Sequence, residues 1–345
     1  MEQALEPVGD LDSERLTAWL AQNVDGFAGP LRYGKFPGGQ SNPTYRIDAA
    51  SGAYVLRRKP FGVLLPSAHA IEREYGLIRG LHPTGFPVAR PFGLCEDSGV
   101  IGAPFYVMEL VEGATYWDGS LAGFTPERRR AVYHQIVDRL AELHSVDYAA
   151  AGLEAFGKPG SYFGRQVARW TKQYRLSQTD DLPVVERLIE WLPRTLPEQT
   201  RTAIVHGDYR IDNLIFDPET DRVSAVLDWE LSTLGDPMAD LSYLLINWAI
   251  PASGAATVGG ITGPETGIPT LDEMAERYCA ATGRDRVPKL DWYFAFGQFR
   301  LMSIVQGIKK RVLDGNASNA QAQAHAARVP MLAESAWTFA QRAGA

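Results

Sequence analysis

The most constraining feature of this sequence is a short strand-rich block, residues 203–229, which lies inside a mostly helical stretch. One apolar run passes through a glycine turn into Asp208, and a second apolar run begins directly after Asn213. A third apolar run ends in Asp228. Polar residues at the ends of neighbouring short strands point toward one place. We therefore expect these three side chains to converge.

Oxygen ligands of this kind suit Mg²⁺, which binds one or two protein carboxylates together with waters and phosphates. An aspartate at the loop start can orient or deprotonate an attacking hydroxyl, while an asparagine and a second aspartate hold the metal. Two alternatives remain open from the residues alone. Asp208 and Asp212 could form turns while Asp228 caps a helix, or His206, Asp208 and Asp228 could bind a transition metal in a hydrolase.

The sequence predicts two lobes of different character. The first third alternates apolar and polar residues as strands do, with one amphipathic helix at 12–22 and another at 67–81. After Gly113 most of the chain has helical spacing. This pattern predicts an α+β fold: a β-rich N-lobe over residues 1–109, a hinge at 110–113 and a larger helical C-lobe over 114–345.

Composition restricts the partners and the compartment. The formal net charge of −7 argues against nucleic-acid binding, which usually requires a basic surface. We find no apolar run long enough to span a bilayer, and the N-terminus lacks the pattern of a signal peptide. Two distant cysteines make a disulfide scaffold improbable. We therefore expect a cytoplasmic protein without a membrane partner.

The segment His206–Asn213, read as HGDYRIDN, together with the later LDWE resembles the catalytic and metal motifs of the aminoglycoside phosphotransferase family. That family is distantly related to the protein kinases, whose catalytic loop has the same spacing between aspartate and asparagine. The resemblance implies a bilobal kinase-like fold with ATP and Mg²⁺ as cofactors. It also implies that Asp208 is the catalytic base and that Asn213 and Asp228 are Mg²⁺ ligands.

The resemblance extends to a glycine-containing segment between two predicted strands. Gly38, Gly39 and Ser41 lie in the sequence GGQSNPTY, which is similar to the loop that covers the phosphates in this family. Glycines at such positions let backbone amides approach phosphate oxygens. The motif lacks the complete GxGxxG pattern, and two glycines can also form an ordinary turn.

The resemblance also implies that a basic residue and a glutamate belong to the nucleotide-binding site. Arg57 stands where the family usually has a lysine that pairs with phosphate, and Lys59 is the second candidate. Arginine can bind phosphate through two nitrogens, but it is not equivalent to lysine. Strand alternation places both residues on the same face and cannot choose between them. Glu74 matches the family's helix glutamate, which would pair with Arg57.

The segment Tyr106–Gly113 resembles the hinge at which the adenine ring binds. Backbone groups near Glu109 and Val111 would form these hydrogen bonds, so side-chain identity carries little information. The resemblance thus implies that Gly38, Gly39, Ser41, Arg57, Glu74, Glu109 and Val111 form the nucleotide site.

The acceptor is less constrained. From Leu271 onward the chain has ten Lys/Arg against seven Asp/Glu, which disfavours a polycationic aminoglycoside as acceptor. The stretch from Leu56 to Tyr75 resembles the kinase-like domain that precedes acyl-CoA dehydrogenases in some longer proteins, which implies a hydroxy acid or hydroxyacyl-CoA. The aromatic run Trp292–Phe299 could line an apolar acceptor pocket or belong to the core.

Together these patterns predict a phosphotransferase that moves the γ-phosphoryl group of ATP to a hydroxyl of a small molecule. The alternatives are a non-catalytic nucleotide-binding module, which Arg57 in place of lysine favours, and a kinase of aminoglycosides or choline-like alcohols.

Overall fold

The structure, a computed structural model, describes residues 9–37, 42–62, 70–315 and 320–345. The predicted phosphate-covering residues Gly38, Gly39 and Ser41 lie outside these ranges, so their predicted role stays a prediction.

The chain forms two compact units. The first unit contains the described residues up to Tyr116 together with Val146–Phe156 and Ile211–Ser232. The second unit contains Trp117–Ser145, Gly157–Arg210 and the described residues from Thr233 onward. The lobe limits at residues 109 and 113 stay a prediction.

The first unit is built on an antiparallel sheet of five strands in the order β1-β2-β3-β5-β4, with a separate two-stranded ribbon, β7-β8. Its elements are α1 (Ser13–Asn23), β1 (Leu31–Lys35), β2 (Thr44–Ala49), β3 (Gly52–Arg58), α2 (Ile71–Leu81), β4 (Pro91–Cys95), β5 (Phe105–Glu109), β7 (Leu214–Phe216) and β8 (Val223–Val226).

Alternation in the hairpin β2-β3 explains how this unit acquires its core. Tyr45 and Ile47, two residues apart on β2, are fully buried, because successive side chains of a strand point to opposite faces. Helix α1 covers this core with Leu16 and Leu20, four residues apart and also fully buried. The helix begins where the Asp12 side chain accepts a hydrogen bond from the Arg15 amide at 3.0 Å.

Two interactions attach distant segments of the chain to the first unit. Arg73 on α2 donates hydrogen bonds to the carbonyl oxygens of Phe156 at 2.7 Å and Ser232 at 2.8 Å. Ala114 and Phe216 exchange two backbone hydrogen bonds, each 2.8 Å long. The ribbon β7-β8 therefore packs with the sheet, although a helical stretch precedes and follows it in the sequence.

The second unit is mostly helical. Its elements are α3 (Pro126–Ser145), α4 (Tyr162–Ser177), α5 (Pro183–Trp191), β6 (Ala203–Val205), β9 (Thr233–Gly235), α6 (Met238–Ala249), α7 (Leu271–Thr282), α8 (Asp291–Leu313), α9 (Ala320–Ala326) and α10 (Val329–Arg342), with β6 and β9 paired antiparallel. Within the described ranges, no helix is both long enough and apolar enough to cross a membrane.

The aromatic run at the start of α8 forms the core of the second unit. The Phe163 ring on α4 lies 5.2 to 5.4 Å from the ring centroids of Trp292, Tyr293 and Phe296. All four side chains are buried. Edge-to-face packing at these distances is typical of a hydrophobic core. The core interpretation of Trp292–Phe299 is therefore correct, whereas the pocket interpretation stays a prediction, because Phe294 and Tyr293 each also line a cavity.

The glycine- and proline-rich stretch 251–269 has little regular structure but is packed. Val258 and Ile268 are fully buried, and Trp248 donates its indole N–H to the Pro269 carbonyl at 2.7 Å. Buried anchors of this kind hold a long connection in one conformation.

The predicted α+β class is confirmed. The helix predicted at 12–22 corresponds to α1, and the helix predicted at 67–81 ends with α2 at Leu81. The predicted strand before Gly38 corresponds to β1, but the sequence did not predict β4 or β9. β4 has only weak alternation of apolar residues and β9 has three residues, so both depend on a partner strand rather than on a local pattern.

Gly113 gives a test of the packing between the end of the sheet and the ribbon. A β-carbon at this position would lie 2.4 Å from Cγ2 of Ile215 and 2.5 Å from the Phe216 carbonyl oxygen. We expect Gly113→Ala to lower the free energy of unfolding by about 1–3 kcal/mol through overpacking. Urea denaturation measures the change. The matched control is Gly76→Ala on α2, where a β-carbon meets nothing within 4 Å, so stability should stay equal or rise. Equal stability of both variants would contradict the packing.

Candidate active site

A buried carboxylate on α6 holds the turn that follows β6. Asp240, which is 1% exposed, accepts hydrogen bonds from the backbone amides of His206 at 2.6 Å and Gly207 at 2.8 Å. Gly207 has a φ of 86°, in the left-handed region that glycine adopts without strain. The turn leading into Asp208 is therefore determined by one side chain from a distant helix.

The environment of Asp240 keeps it ionised. Burial raises its pKa, but the hydrogen bond and charge of His144, the charge of His206 and the Gly207 amide together lower the pKa below its ordinary value. The His144 ring lies with Nε2 3.3 Å from Asp240 and with Nδ1 2.7 Å from the Tyr278 hydroxyl. A buried carboxylate is stable only when its oxygens receive such hydrogen bonds.

The loop is also held from its other sides. Nδ1 of the fully buried His206 accepts a hydrogen bond from the Asp208 amide at 3.1 Å. Tyr209 donates its hydroxyl to the Ile136 carbonyl at 2.8 Å, and Arg300 donates to the Gly207 carbonyl at 2.8 Å. This geometry makes His206 part of the loop's internal support.

The Asp208 side chain remains partly accessible, with 25% of its surface exposed. Its Oδ1 accepts a hydrogen bond from the Tyr243 hydroxyl at 2.7 Å and lies 3.8 Å from Nε of Arg210. Burial and the negative charge of Asp208 raise the pKa of Tyr243, so the phenol keeps its proton and acts as donor. A carboxylate held this way can accept a proton from a further hydroxyl.

In the first unit, one arginine is surrounded by three carboxylates. Arg57 on β3 lies with Nε 2.9 Å from Glu74 Oε2, a distance that satisfies an ion pair although the angle is unfavourable for a hydrogen bond. Its Nη2 lies 3.1 Å from Asp228 Oδ1 and 3.5 Å from Glu230 Oε2. The Arg57 side chain is 15% exposed and that of Glu74 is 3% exposed.

Opposite charges dominate this cluster. Burial lowers the pKa of Arg57, but the charges of Glu74, Tyr106, Asp228 and Glu230 outweigh it and raise the pKa above its ordinary value. Burial raises the pKa of Glu74, and the charge of Arg57 and the hydrogen bond from Tyr106 oppose this shift. The Tyr106 hydroxyl and the Asn42 amide donate to Glu74 at 3.0 and 3.1 Å. The guanidinium therefore stays charged and firmly placed.

The ribbon register explains the position of Asp228. Leu214 on β7 pairs with Val226 on β8, and the Leu227 amide donates to the Asn213 carbonyl at 2.8 Å. Asn213 and Asp228 therefore lie at the same end of the ribbon. Asp228 has a φ of 64° and a side chain that is 38% exposed. A non-glycine residue in this backbone region is strained, which is a feature of functional sites.

The residues around Arg57 fit a divalent cation. Three carboxylates lie around one guanidinium, and Asp228 with Asn213 supplies the oxygen donors that Mg²⁺ prefers. Across the described residues, no group of three or more His, Cys, Asp or Glu side chains is arranged to hold a metal ion by itself. Mg²⁺ needs no such cage when phosphates and waters complete its coordination.

The structure distinguishes the two basic candidates, Arg57 on β3 and Lys59 directly after this strand. Lys59 forms an ion pair with Glu72, whereas Arg57 pairs with Glu74. The two glutamates are two positions apart on α2 and therefore face different directions. Only Arg57 thus contacts the cluster that contains Asp228.

The predicted hinge residues differ in their backbone hydrogen bonding. The Glu109 amide donates to the Arg90 carbonyl at 2.9 Å and is therefore occupied. Among the described residues, none forms a hydrogen bond to the backbone of Val111.

The sequence did not predict several of the residues that contact the loop containing Asp208 or the cluster around Arg57. Tyr243 follows Asp240 by three positions on α6, a spacing that predicts a shared helix face. Arg300 on α8 and Tyr106 on β5 come from elements far apart in the sequence and carry no local signal. Glu230 follows Asp228 by two positions in LDWE and could have been found there.

Comparisons with known proteins agree with this geometry. A sequence profile described as "Phosphotransferase enzyme family", APH, matches residues 33–288, about three quarters of the chain. The crystal structure of a candidate aminoglycoside phosphotransferase from Ralstonia eutropha is 46% identical, with a TM-score of 0.89, and the match covers 96% of this chain and 99% of that one.

Two further relatives bear on the fold and on chain length. Mouse acyl-CoA dehydrogenase family member 10 is 49% identical over 318 residues, which cover 92% of this chain but only 30% of that protein. Spectinomycin phosphotransferase, solved in complex with ADP and spectinomycin, is 13% identical with a TM-score of 0.59, and the match covers 97% of this chain and all of that one. The latter likeness concerns the fold alone.

The Asp240 interaction predicts a specific stability change. Asp240→Asn places an amide nitrogen against a backbone N–H donor, so we expect the free energy of unfolding to fall by about 2–3 kcal/mol. The folded pKa lies below the unfolded value, so this stabilisation is complete above a pH of about 4 and is lost as the pH falls through the folded pKa. Urea denaturation should show that the difference from wild type is constant above a pH of about 4 and shrinks as the pH falls below that value.

A matched control separates the effect of burial on stability from the effect of the number of hydrogen bonds. Asp217 also accepts two backbone N–H groups, from Glu219 at 2.9 Å and Thr220 at 2.8 Å, but in an exposed turn. We expect Asp217→Asn to lose clearly less stability than Asp240→Asn. A comparable loss in both variants would contradict the role given to burial.

Proposed function

This chain belongs to the phosphotransferase enzyme family, and from that premise we propose that it moves the γ-phosphoryl group of ATP to a hydroxyl of a small molecule. The observation that carries the proposal is Asp208: a partly accessible carboxylate on a turn fixed by Asp240 and oriented by Tyr243. Preorganised groups of this kind are what phosphoryl transfer requires of a protein.

Asp208 is the proposed catalytic base. The acceptor oxygen attacks the γ-phosphorus, the bond between that phosphorus and the ADP oxygen breaks, and the hydroxyl proton passes to the Asp208 carboxylate. The electron pair of the broken bond, and with it the negative charge, passes to the ADP oxygen that leaves. Arg210, 3.8 Å from Asp208 Oδ1, keeps a positive charge beside the carboxylate.

Arg57 is the proposed phosphate-binding residue. Its guanidinium is charged, is oriented by the buried Glu74 and remains 15% exposed, so that one edge can turn to an oxyanion. Gly38, Gly39 and Ser41 are proposed to cover the phosphates, as the family resemblance implies. The adenine ring is proposed to bind near Glu109 and Val111, with the Val111 backbone as its hydrogen-bonding partner.

Asn213 and Asp228 are the proposed Mg²⁺ ligands. When bound, Mg²⁺ supplies charge neutralisation for the phosphate oxygens. The position of Asn213 and Asp228 at the same end of the ribbon supports this assignment, because Mg²⁺ prefers oxygen ligands of this kind.

A hydroxy acid or hydroxyacyl-CoA is the proposed acceptor class. The chain resembles part of acyl-CoA dehydrogenase family member 10, a protein named for acyl-CoA chemistry. Helix α4 carries Arg165, Arg169, Lys172 and Arg175 and no acidic residue, which favours an anionic acceptor over a polycationic one. The cytoplasm is the proposed compartment, supported by the buried thiols of Cys95 and Cys279.

An acceptor screen tests the proposal. Purified protein with Mg²⁺-ATP is incubated with hydroxyacyl-CoAs, free hydroxy acids, aminoglycosides and choline-like alcohols, and ADP release is measured. We expect release above the acceptor-free rate with the acyl compounds. Nucleotide binding without transfer to any acceptor would instead favour a non-catalytic nucleotide-binding module.

Asp208→Asn tests the catalytic base. The amide cannot accept the acceptor proton, so we expect kcat to fall by about 10²–10⁴-fold. The dissociation constant for ATP, measured by calorimetry, should change by less than about threefold, because the substitution leaves Arg57 and Asp228 intact. Wild-type turnover in this variant would exclude Asp208 as the base.

Substitutions at Arg57 and Lys59 test which of the two residues binds the nucleotide. The double substitution Arg57→Gln with Glu74→Gln removes the guanidinium without leaving a buried carboxylate unpaired. We expect ATP affinity to fall about tenfold to hundredfold, the effect of losing hydrogen bonds to a charged group. Lys59→Gln breaks only the partly exposed pair with Glu72 and should change affinity by less than about threefold. Equal losses would contradict the assignment to Arg57; circular dichroism verifies folding.

A further inference from the structure

One face of helix α6 holds both the backbone and the side chain of the catalytic loop. Asp240 and Tyr243 are three positions apart, so their side chains lie on the same side of the helix. Asp240 accepts the amides of His206 and Gly207, and Tyr243 donates to the carboxylate of the next residue, Asp208. Two residues on one face of helix α6 thus determine where the loop lies and how the Asp208 carboxylate is rotated.

Tyr243 is itself restrained by Arg300. The Arg300 guanidinium carbon lies 5.7 Å from the centre of the Tyr243 ring and 5.6 Å from that of Trp170. The same guanidinium donates to the Gly207 carbonyl at 2.8 Å. A cation over an aromatic ring is attracted by the electron-rich face of that ring. The phenol is therefore held between Arg300 and Asp208.

We propose that Tyr243 is a positioning residue for the transfer reaction: by donating to Oδ1, its hydroxyl restrains the rotation of the Asp208 carboxylate, which receives the acceptor proton. The inference rests on the proposed function, because it assigns a role in proton transfer from the acceptor. Oδ1 is engaged by the Tyr243 hydroxyl at 2.7 Å and faces Nε of Arg210 at 3.8 Å.

The physical consequence follows from the geometry of an aspartate. Its carboxylate rotates about a broad, low-barrier torsion, so a short hydrogen bond to one oxygen is what defines the direction of the other. A base must lie within hydrogen-bonding distance of the proton it accepts. Without the phenol this restraint is lost, and we expect the carboxylate to face the acceptor for a smaller share of the time.

Tyr243→Phe tests the inference because it should lower kcat and leave the KM for ATP nearly unchanged. Losing a hydrogen bond to a charged group predicts a fall in kcat of about tenfold to hundredfold, with the KM for ATP changed by less than about threefold. The matched control is Tyr133→Phe, which also removes a buried phenol hydroxyl from the second unit, where it donates to the Gly119 carbonyl at 2.5 Å. Tyr133 does not contact Asp208, so kcat should stay within about threefold of wild type.

Combining Tyr243→Phe with Asp208→Asn distinguishes a positioning role of Tyr243 from general support of the fold. Residual activity of Asp208→Asn should not fall further when Tyr243→Phe is added, because the carboxylate that Tyr243 orients is already absent. A purely structural role predicts that the two losses multiply. Multiplying losses, or equal kcat values for Tyr243→Phe and Tyr133→Phe, overturn the inference.

The same set of variants separates this inference from the proposed function. If Asp208→Asn is inactive and Tyr243→Phe retains wild-type kcat, the proposed function stands and the positioning role is wrong. If Asp208→Asn retains wild-type turnover, the proposed function fails and the positioning role fails with it.

Discussion

The buried carboxylate of Asp240 is the interaction on which the candidate active site depends. It accepts two backbone amides of the catalytic loop and is balanced by His144, so the loop has one conformation instead of many. A loop of this kind contains glycine in the left-handed region and would otherwise be flexible. Because Asp240 belongs to a helix packed in the core of the second unit, the position of Asp208 follows from core packing.

A comparable arrangement organises the first unit, with the charges reversed. Here one buried cation, Arg57, is surrounded by the carboxylates of Glu74, Asp228 and Glu230. Asp228 contributes carboxylate oxygens of the kind that bind a divalent cation, while Arg57 stays ionised. Both groups therefore combine a fixed buried partner with a more accessible carboxylate that is a candidate for function, either Asp208 or Asp228.

Much of this could be predicted from the sequence because the motifs are local. The Asp208-to-Asn213 spacing, the strand before it and Asp228 after the third strand are all visible in one stretch of 27 residues, 203–229. The helices were predictable for the same reason, since their apolar periodicity is a local pattern. Tyr243 and Arg300 were not predicted, because their contacts with the loop join residues that are 35 and 93 positions apart.

The sequence by itself determined the reaction family, the α+β class and the candidate catalytic and metal-binding residues, since each rests on residue type and short spacing. Only the tertiary structure decided between Arg57 and Lys59. Arg57 lies on β3 and Lys59 directly follows this strand, and the choice depends on which glutamate of α2 pairs with each residue. Only the tertiary structure also placed the ribbon β7-β8 in the first unit, through backbone hydrogen bonds between Ala114 and Phe216. Such pairings join distant segments, and no local pattern encodes them.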